Sequence, residues 1–365
     1  MKSSDFYSLR EIKKRNAQYN VIFGERSNGK TFAVLEEMIR NYIKTGEKGA
    51  YIRRYREDMR GLSAQMLFAG VVKTGLITKL TKGEYDNVRY YQRKWFLCHM
   101  DNENSEKMYA DKEPFAYSFA LTESKGSNYP DVTTIHFDEF IDRKPELQGE
   151  FELFINLVST LVRDKAKAKI YMTANTVNQS SLYFREMGLT NIKKMKPGQI
   201  DVYEYGESGL KCAVEYTAHK SAKSSDVYFA FDNPHLQMIK TGIWEIGIYP
   251  HTFEKWTKDK VIFSAFLKWE DEIVQLDVIS KDDLTFVYCH MKTTPIQDEQ
   301  HDIILSLEDN PRFNYIHSLM KSDLRIARRL MWFFRNQKIY YQDNTVGEIV
   351  RNWLIKTGDM RYLHV

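Results

Sequence analysis

The chain has 365 residues, 43% of them hydrophobic and 28% charged, with a formal net charge of +4. That length exceeds one ordinary core and suggests two domains, and the small charge excludes a histone-like polycation while leaving room for local basic surfaces. No run of about 18 apolar residues is present to span a membrane, and the polar start "MKSSDFYSLREIKKRNAQ" lacks the apolar centre of a signal peptide, so a cytosolic protein is expected.

In chain order, residues 21–23 read as a short buried strand. Phe32, Leu35, Met38, Ile39, Tyr42 and Ile43 then recur at spacings of three and four, which builds one apolar helix face that Gly46 is placed to end. "AYIRRY" (50–55), "VTTIHFDEF" (132–140) and "KIYMTAN" (169–175) read as further strands. Phe151, Phe154, Ile155, Val158, Leu161 and Val162 mark a helix between the last two. Alternation of this kind predicts a doubly wound, mostly parallel sheet.

The texture changes near residues 190–226, where a basic cluster, a Pro-Gly turn and a small polar stretch mark the domain junction. Beyond it, "VIFSAFLKWEDEIVQLDVI" predicts two strands joined through Glu270 to Glu272, and helices are expected over 313–335 and 345–356. Cys98, Cys212 and Cys289 lie far apart without ligand spacing, which favours reduced core thiols.

Two motifs carry chemistry. Gly24, Glu25, Arg26, Ser27, Asn28, Gly29, Lys30 and Thr31 fit GxxxxGK[ST] at every fixed position, between a strand and a helix. Glycines let backbone N–H groups converge on phosphate oxygens, and the helix start adds its positive dipole end. Lys30 would neutralise phosphates and the Thr31 hydroxyl would hold Mg²⁺. The strand "TTIHFDEF" ends in Asp138 and Glu139, two carboxylates at the sheet edge where α/β folds bind ligands. Asp138 is the expected second Mg²⁺ holder and Glu139 the base that orients attacking water. His136 reads as a core histidine. A Glu directly after the Asp favours motor ATPases over GTPases, and no guanine-reading element follows, so ATP is the expected nucleotide.

These stretches together resemble the DNA-packaging motor ATPases of small podoviruses of the phi29 type, which are related to the large terminase subunits of tailed phages. The resemblance is carried by "NVIFGERSNGKT", "YIRRYR", "SKGSNYPDVTTIHFDEFI", "LVRDK" and "MTANTV", and covers roughly residues 15–180. It implies an ATPase of the P-loop, ASCE type over residues 1–197, a connecting segment over 198–229, and a C-terminal α+β domain over 230–365. That last domain resembles a vestigial RNase H-type nuclease. The function implied is ATP-driven translocation of double-stranded DNA into a procapsid in the host cytoplasm. The partners implied are a homo-oligomeric ring (a pentamer), a viral portal and a packaging RNA, with no membrane.

By the same resemblance, Arg163 matches an arginine finger supplied to the neighbouring subunit, although Lys165, Lys167 and Lys169 share its region. Arg56 resembles a second residue reaching across the interface, with Arg53 and Arg54 as competitors. Asn175 resembles a coupling amide that senses the γ-phosphate, or else is a turn-forming Asn. Lys125, Asn128, Lys193, Lys194 and Lys196 are candidates for gripping DNA phosphates, as is the basic series Lys321, Arg325, Arg328 and Arg329. Phe6, Tyr7 and Arg10 are candidates for reading adenine. The acids Asp232, Asp271, Asp277, Asp282 and Asp283 do not assemble by spacing into a metal set, Asp282-Asp283 reading instead as a helix start. The alternative is a large terminase whose C-terminal nuclease still cleaves DNA.

Overall fold

Val21, Ile22 and Phe23 are fully buried on an interior strand of a sheet. The computed structural model describes residues 7–26, 28–100, 108–123, 129, 131–142, 146–162, 167–176, 180–217, 249–252 and 254–363. The chain divides into two compact units, residues 1–245 and 246–365.

In the first unit the strands are β1 (Tyr19–Gly24), β2 (Lys48–Arg53), β3 (Asn87–Tyr91), β4 (Lys94–Met100), β5 (Met108–Ala110), β6 (Ala116–Ala120), β7 (Val132–Asp138), β8 (Lys169–Asn175), β9 (Ile200–Tyr205) and β10 (Leu210–Tyr216). Among the described residues they form one sheet in the order β3-β4-β6-β2-β7-β8-β1-β10-β9, with β5 paired to β4. The run from β6 to β10 is parallel throughout, and antiparallel hairpins close both ends. Both faces are covered, which is what an apolar parallel sheet requires. Val21 and Phe23 face the helix α2 (Glu150–Leu161), packing with Phe154, Leu157 and Val158. Ile22 faces α1 (Lys30–Thr45), among Val34, Leu35, Met38 and Ile39. Each such side chain, fully buried, contributes roughly 1.5–3 kcal/mol. Gly46 ends α1 at φ 75°, its N–H donating to the Tyr42 carbonyl, as expected of a left-handed cap.

Two boundaries move. β2 stops at Arg53, so Arg54 and Tyr55 lie beyond the strand. The segment read from sequence as a connector over 198–229 begins with the β9–β10 hairpin, and β10 pairs in parallel with β1 from Tyr19↔Cys212 to Phe23↔Tyr216. Residues 200–216 therefore belong to the first sheet. The pairing bridges about half the chain, a distance over which local composition carries no signal. The three cysteines are buried and free.

The second unit has β11 (Val261–Trp269), β12 (Glu272–Lys281), β13 (Leu284–Met291), β14 (Ile303–Leu305), β15 (Tyr315–Ile316) and β16 (Ile339–Tyr341), with helices α3 (Arg325–Arg335) and α4 (Asn344–Thr357). Their order is β15-β14-β11-β12-β13-β16. β11, β12 and β13 are an antiparallel meander, while β14 and β16 add in parallel. Leu330 and Phe333 of α3 and Val350 and Trp353 of α4 pack with Leu267, Leu276 and Val287 of the sheet. The expected acidic turn is present, with Glu270 at φ 51°. Asp282-Asp283, expected as a helix start, is instead the two-residue turn of the β12–β13 hairpin. Asp282 takes φ 52° there, a conformation Asp tolerates better than most residues. The helix expected from residue 313 begins only at Arg325. The stretch before it is captured by the buried Asp359 carboxylate, which accepts from Ser318 Oγ at 2.6 Å and the Leu319 N–H at 2.8 Å.

On the β11–β12–β13 meander, Asp277 accepts from Ser264 Oγ at 2.5 Å, Gln275 Nε2 at 2.8 Å and His290 Nε2 at 3.0 Å. The bond to Asp277 raises His290 above its ordinary 6.5. Burial works to raise Asp277, but the bonds from His290, Gln275 and Ser264 outweigh it and hold the carboxyl below 3.8. His290 thus stabilises fully below pH 6.5 and loses its effect as pH rises through its raised folded value, whereas Asp277's contribution fades as pH falls through its lowered one. Urea unfolding followed across pH should therefore show this unit losing stability as pH rises from 6.5 through His290's raised folded value, and His290→Gln should flatten that loss. An unaltered profile in the variant would sink the pairing.

Candidate nucleotide site

Parallel strands bring their carboxyl ends to one edge, and there β1, β2, β7 and β8 deliver Gly24, Arg53, Asp138 and Asn175. β8 lies between β1 and β7, with Gly24 in register with Asn175 and Asp138 with Thr173. Gly24 leaves β1 at φ 148° and Gly29 enters α1 at φ 92°, so both bends of the loop use conformations that favour glycine. Gly29 has no side chain to cap α1, and of the first-turn N–H groups that of Lys30 donates to Asn28 Oδ1 at 3.3 Å.

Lys30 is 5% exposed, its amine donating to the Glu25 carbonyl at 2.5 Å, the Gly24 carbonyl at 3.3 Å and Asn28 Oδ1 at 3.3 Å. Burial pulls its pKa down to about 8, against the opposing attraction of Asp138 and Glu25. These hydrogen bonds from the buried cation thus all go to neutral carbonyl oxygens.

The Thr31 hydroxyl donates to Asp138 Oδ1 at 3.0 Å. Asp138 also accepts from Thr173 Oγ1 at 2.5 Å and from the Tyr51 hydroxyl at 2.8 Å. Burial works to raise its pKa, yet the carboxyl is held below the ordinary value. His136, fully buried and brought down to about 4 by that burial, is neutral, so Thr173, the Arg53 charge and Tyr51 hold Asp138 ionised. Because Thr173 donates its proton to Asp138, its oxygen accepts from His136 Nε2 at 2.8 Å, which fixes the histidine tautomer. The expected core histidine is one, with a structural task behind the carboxylate.

Glu139 turns out of β7 at φ 53° and pairs with Arg53 Nη2 at 2.5 Å. Arg53 also lies 3.7 Å from Asp138 and 3.6 Å from Asp58. The N–H of Thr176, one residue past Asn175, donates to the Gly24 carbonyl at 3.1 Å. One edge thus gathers Gly24, Lys30, Thr31, Asp138, Glu139 and Asn175. It can present N–H groups and a cation to an anion, two hard oxygens to a small divalent cation, and a carboxylate base beside them.

The three arginines of "YIRRYR" separate by strand parity. Arg53 shares Tyr51's face and enters the site. Arg54 shares Ile52's face, is 4% exposed and pairs with the fully buried Glu150 at 2.9 Å. Arg56 is half exposed and pairs with Glu123 at 2.6 Å, as does Arg93. Tyr51, Arg53 and Thr173 were not singled out from sequence as members of this cluster. Their signal was the alternation that puts residues 51 and 53, and 171 and 173, on common faces.

Other expected residues fall elsewhere. Tyr7 does not stand free to read a base: its hydroxyl donates to Glu215 at 2.6 Å and its N–H to the Asn28 carbonyl at 2.9 Å. Arg10 lies exposed on the short helix Arg10–Lys13. Lys193, Lys194 and Lys196 are exposed around the turn Ile192–Lys194 that precedes β9, within the first unit rather than at a junction. Arg325, Arg328 and Arg329 are exposed on α3, next to Trp332, which is 48% exposed, and Lys321 is exposed just before the helix. Phe6, Ser27, Lys125, Asn128, Arg163 and Lys165 lie outside the described residues.

A family model described as the podovirus DNA encapsidation protein (Gp16) matches residues 1–76 and 104–217, over half of the chain. The chain belongs to that family. The match includes every strand that bears the site and runs on through the β9–β10 hairpin, beyond the point where the sequence likeness was expected to fade. The DNA packaging protein of Bacillus phage B103 is 28% identical over 259 residues, 62% of this chain and 73% of that protein. That of Bacillus phage phi29 is 26% identical over 190 residues, half the length of each. A chain of the solved bacteriophage Phi-29 viral genome packaging motor assembly shares the fold of this encapsidation protein with a TM-score of 0.53, at 19% identity and 98% coverage of both chains. Among the described residues no helix is long and apolar enough to cross a membrane.

Proposed function

We propose that this encapsidation protein is the ATP-driven subunit of a DNA-packaging motor, moving double-stranded DNA into a procapsid as part of a homo-oligomeric ring. The observation that carries the reading is the meeting of Thr31 and Asp138 at 3.0 Å, with Lys30 buried in the loop beside them. Oxygen donors paired with a buried cation fit Mg²⁺ and a triphosphate. The placing of β8 between β1 and β7, with Glu139 following Asp138, fits a P-loop ATPase of the ASCE type.

Bound ATP would supply the γ-phosphoryl group, and Mg²⁺ would supply positive charge to offset that of the phosphates. The loop N–H groups and Lys30 would grip the phosphates, and Thr31 and Asp138 would hold the ion. Glu139 would take a proton from water once Arg53 releases it, so Arg53 keeps the base idle until the site is filled. Asn175, level with Gly24, would sense the γ-phosphate and pass on its loss. Arg163, two residues past the end of α2, would serve the neighbouring subunit's site.

The ATPase domain on this reading extends through β10. The second unit's meander with added parallel strands supports a vestigial RNase H-type domain used for docking. Among the described residues no three His, Cys, Asp or Glu side chains are placed to hold a metal ion, so the nuclease alternative gains no support from them. The remaining partners proposed are the portal, a packaging RNA and a five-membered ring, acting in the host cytoplasm.

The test is phosphate release with and without duplex DNA, in rings mixing wild-type and Arg163→Ala subunits. DNA should raise turnover, and the loss should exceed the fraction of variant subunits. Turnover indifferent to DNA would reject the motor, and a strictly proportional loss would reject shared sites.

A further inference from the structure

We propose that Thr217, the residue following β10, is a positioning residue for the nucleotide loop, acting through Asn28 to set where the Lys30 amine stands. The inference rests on the nucleotide reading above and adds to it a residue outside both motifs.

Thr217 is 3% exposed, and its N–H donates to the Phe23 carbonyl at 2.9 Å, continuing the β1–β10 ladder past the end of the strand. Its side chain leans over Gly24, where an added Cβ would lie 2.1 Å from Thr217 Oγ1. The first glycine of the loop is thus needed for this close approach as well as for its φ of 148°.

From the loop side, Asn28 is 6% exposed and its Nδ2 donates to Thr217 Oγ1 at 2.7 Å. That bond aims the opposite end of the amide, Oδ1, at the Lys30 N–H and the Lys30 amine, each at 3.3 Å. The Asn28 carbonyl is held too, by the Tyr7 N–H, while the Tyr7 hydroxyl is tied to Glu215 on β10. A loop with glycines at both bends has little stiffness of its own, yet its middle is fixed from outside by the end of β10. Without the Thr217 hydroxyl the amide has no buried partner for its Nδ2 and is free to turn, which would point a donor at the Lys30 amine.

Neither Thr217 nor Asn28 bonds to Asp138 or Glu139, so the effect should fall on nucleotide binding and not on the chemical step. In the full-length protein, Thr217→Val keeps the shape and removes the hydroxyl. It should raise both KM and the Kd for a fluorescent ATP analogue with Mg²⁺ about tenfold, the usual scale for one buried hydrogen bond, with kcat changed less than about threefold. Thr217→Ser should return both to within about twofold. Asn28→Ala cuts the same link from the loop side, and the double variant should be no worse than either single. A role confined to stability would lower the unfolding midpoint of Thr217→Val and leave the Kd in place, which overturns the proposal. Failure of Ser to rescue overturns it as well. If Thr217→Val does not fold, Asn28→Ala with unchanged Kd does so too. Lys30→Ala separates the two levels: normal ATP binding in that variant removes the nucleotide reading altogether. Lost binding there with a normal Thr217→Val removes only the role of Thr217.

Discussion

Glu139→Gln should lower DNA-stimulated ATP turnover by about 10²–10⁴-fold, the range expected when a positioned general base is removed. Glutamine matches the carboxylate in shape and still offers Arg53 an oxygen, but it cannot accept the proton of the attacking water. Arg53 is within 3.7 Å of Asp138 and 3.6 Å of Asp58, so it is not stranded by the change. Lys30, Thr31 and Asp138 do not bond to the Glu139 side chain, and nucleotide affinity should therefore survive. Single-turnover hydrolysis measured beside equilibrium binding of ATP checks both halves. Turnover within a few-fold of wild type would remove Glu139 from the chemistry, whereas loss of binding together with turnover would mean that the residue holds the site rather than acts in it.

The second large effect is on the fold. Arg54→Ala should destabilise the first unit by about 3–5 kcal/mol, the usual consequence of removing one member of a buried ion pair. Arg54 and Glu150 are 4% and 0% exposed. Arg54 Nε donates to Glu150 at 2.9 Å and its Nη2 to the Phe140 carbonyl at 3.1 Å. Glu150 also accepts from the Tyr183 hydroxyl and the Leu147 N–H, both at 2.8 Å. Burial, with Glu150 beside it, holds the Tyr183 phenol well above its ordinary pKa, so it stays a donor. Without Arg54 these two neutral bonds would face a buried negative charge alone. Replacing both partners, Arg54→Met with Glu150→Leu, should recover most of the loss, because the penalty lies in the unpaired charge and not in the absence of attraction. Denaturant unfolding monitored in the first unit checks this, and a loss under about 1 kcal/mol for Arg54→Ala would show that water reaches Glu150.

The pair also shows why one of three neighbouring arginines takes each task. Residues 53 and 54 project to opposite faces of the chain, so one meets the Glu139 carboxylate and the other the first turn of α2. The period of a strand makes their separation legible in the sequence. What it does not reveal is which face carries the catalytic edge, because that depends on the loop after β1 and the end of β7 being folded to the same side. Arg54, one residue past the strand, still keeps its alternation, whereas Arg56 lies in the turn Arg56–Met59 and has no such parity to read, and its partner Glu123 lies on another segment.

By itself the sequence determined the features that are local. The Gly-Lys-Thr junction bends where a glycine is needed at φ 92° and starts a helix at once, and the Asp-Glu pair closes a strand whose apolar run forces it into the sheet centre. The alternation of strands and helices then led to a parallel sheet with both faces covered. Tertiary structure alone decided that residues 200–216 join that sheet, that the stretch before Arg325 is held by Asp359 instead of coiling, and that Asp282 turns a hairpin. It also decided that Thr217 meets Asn28 across 189 residues of chain. Pairings at that separation arise from which surfaces are left to be buried once the local elements exist, and no short window of residues contains that information.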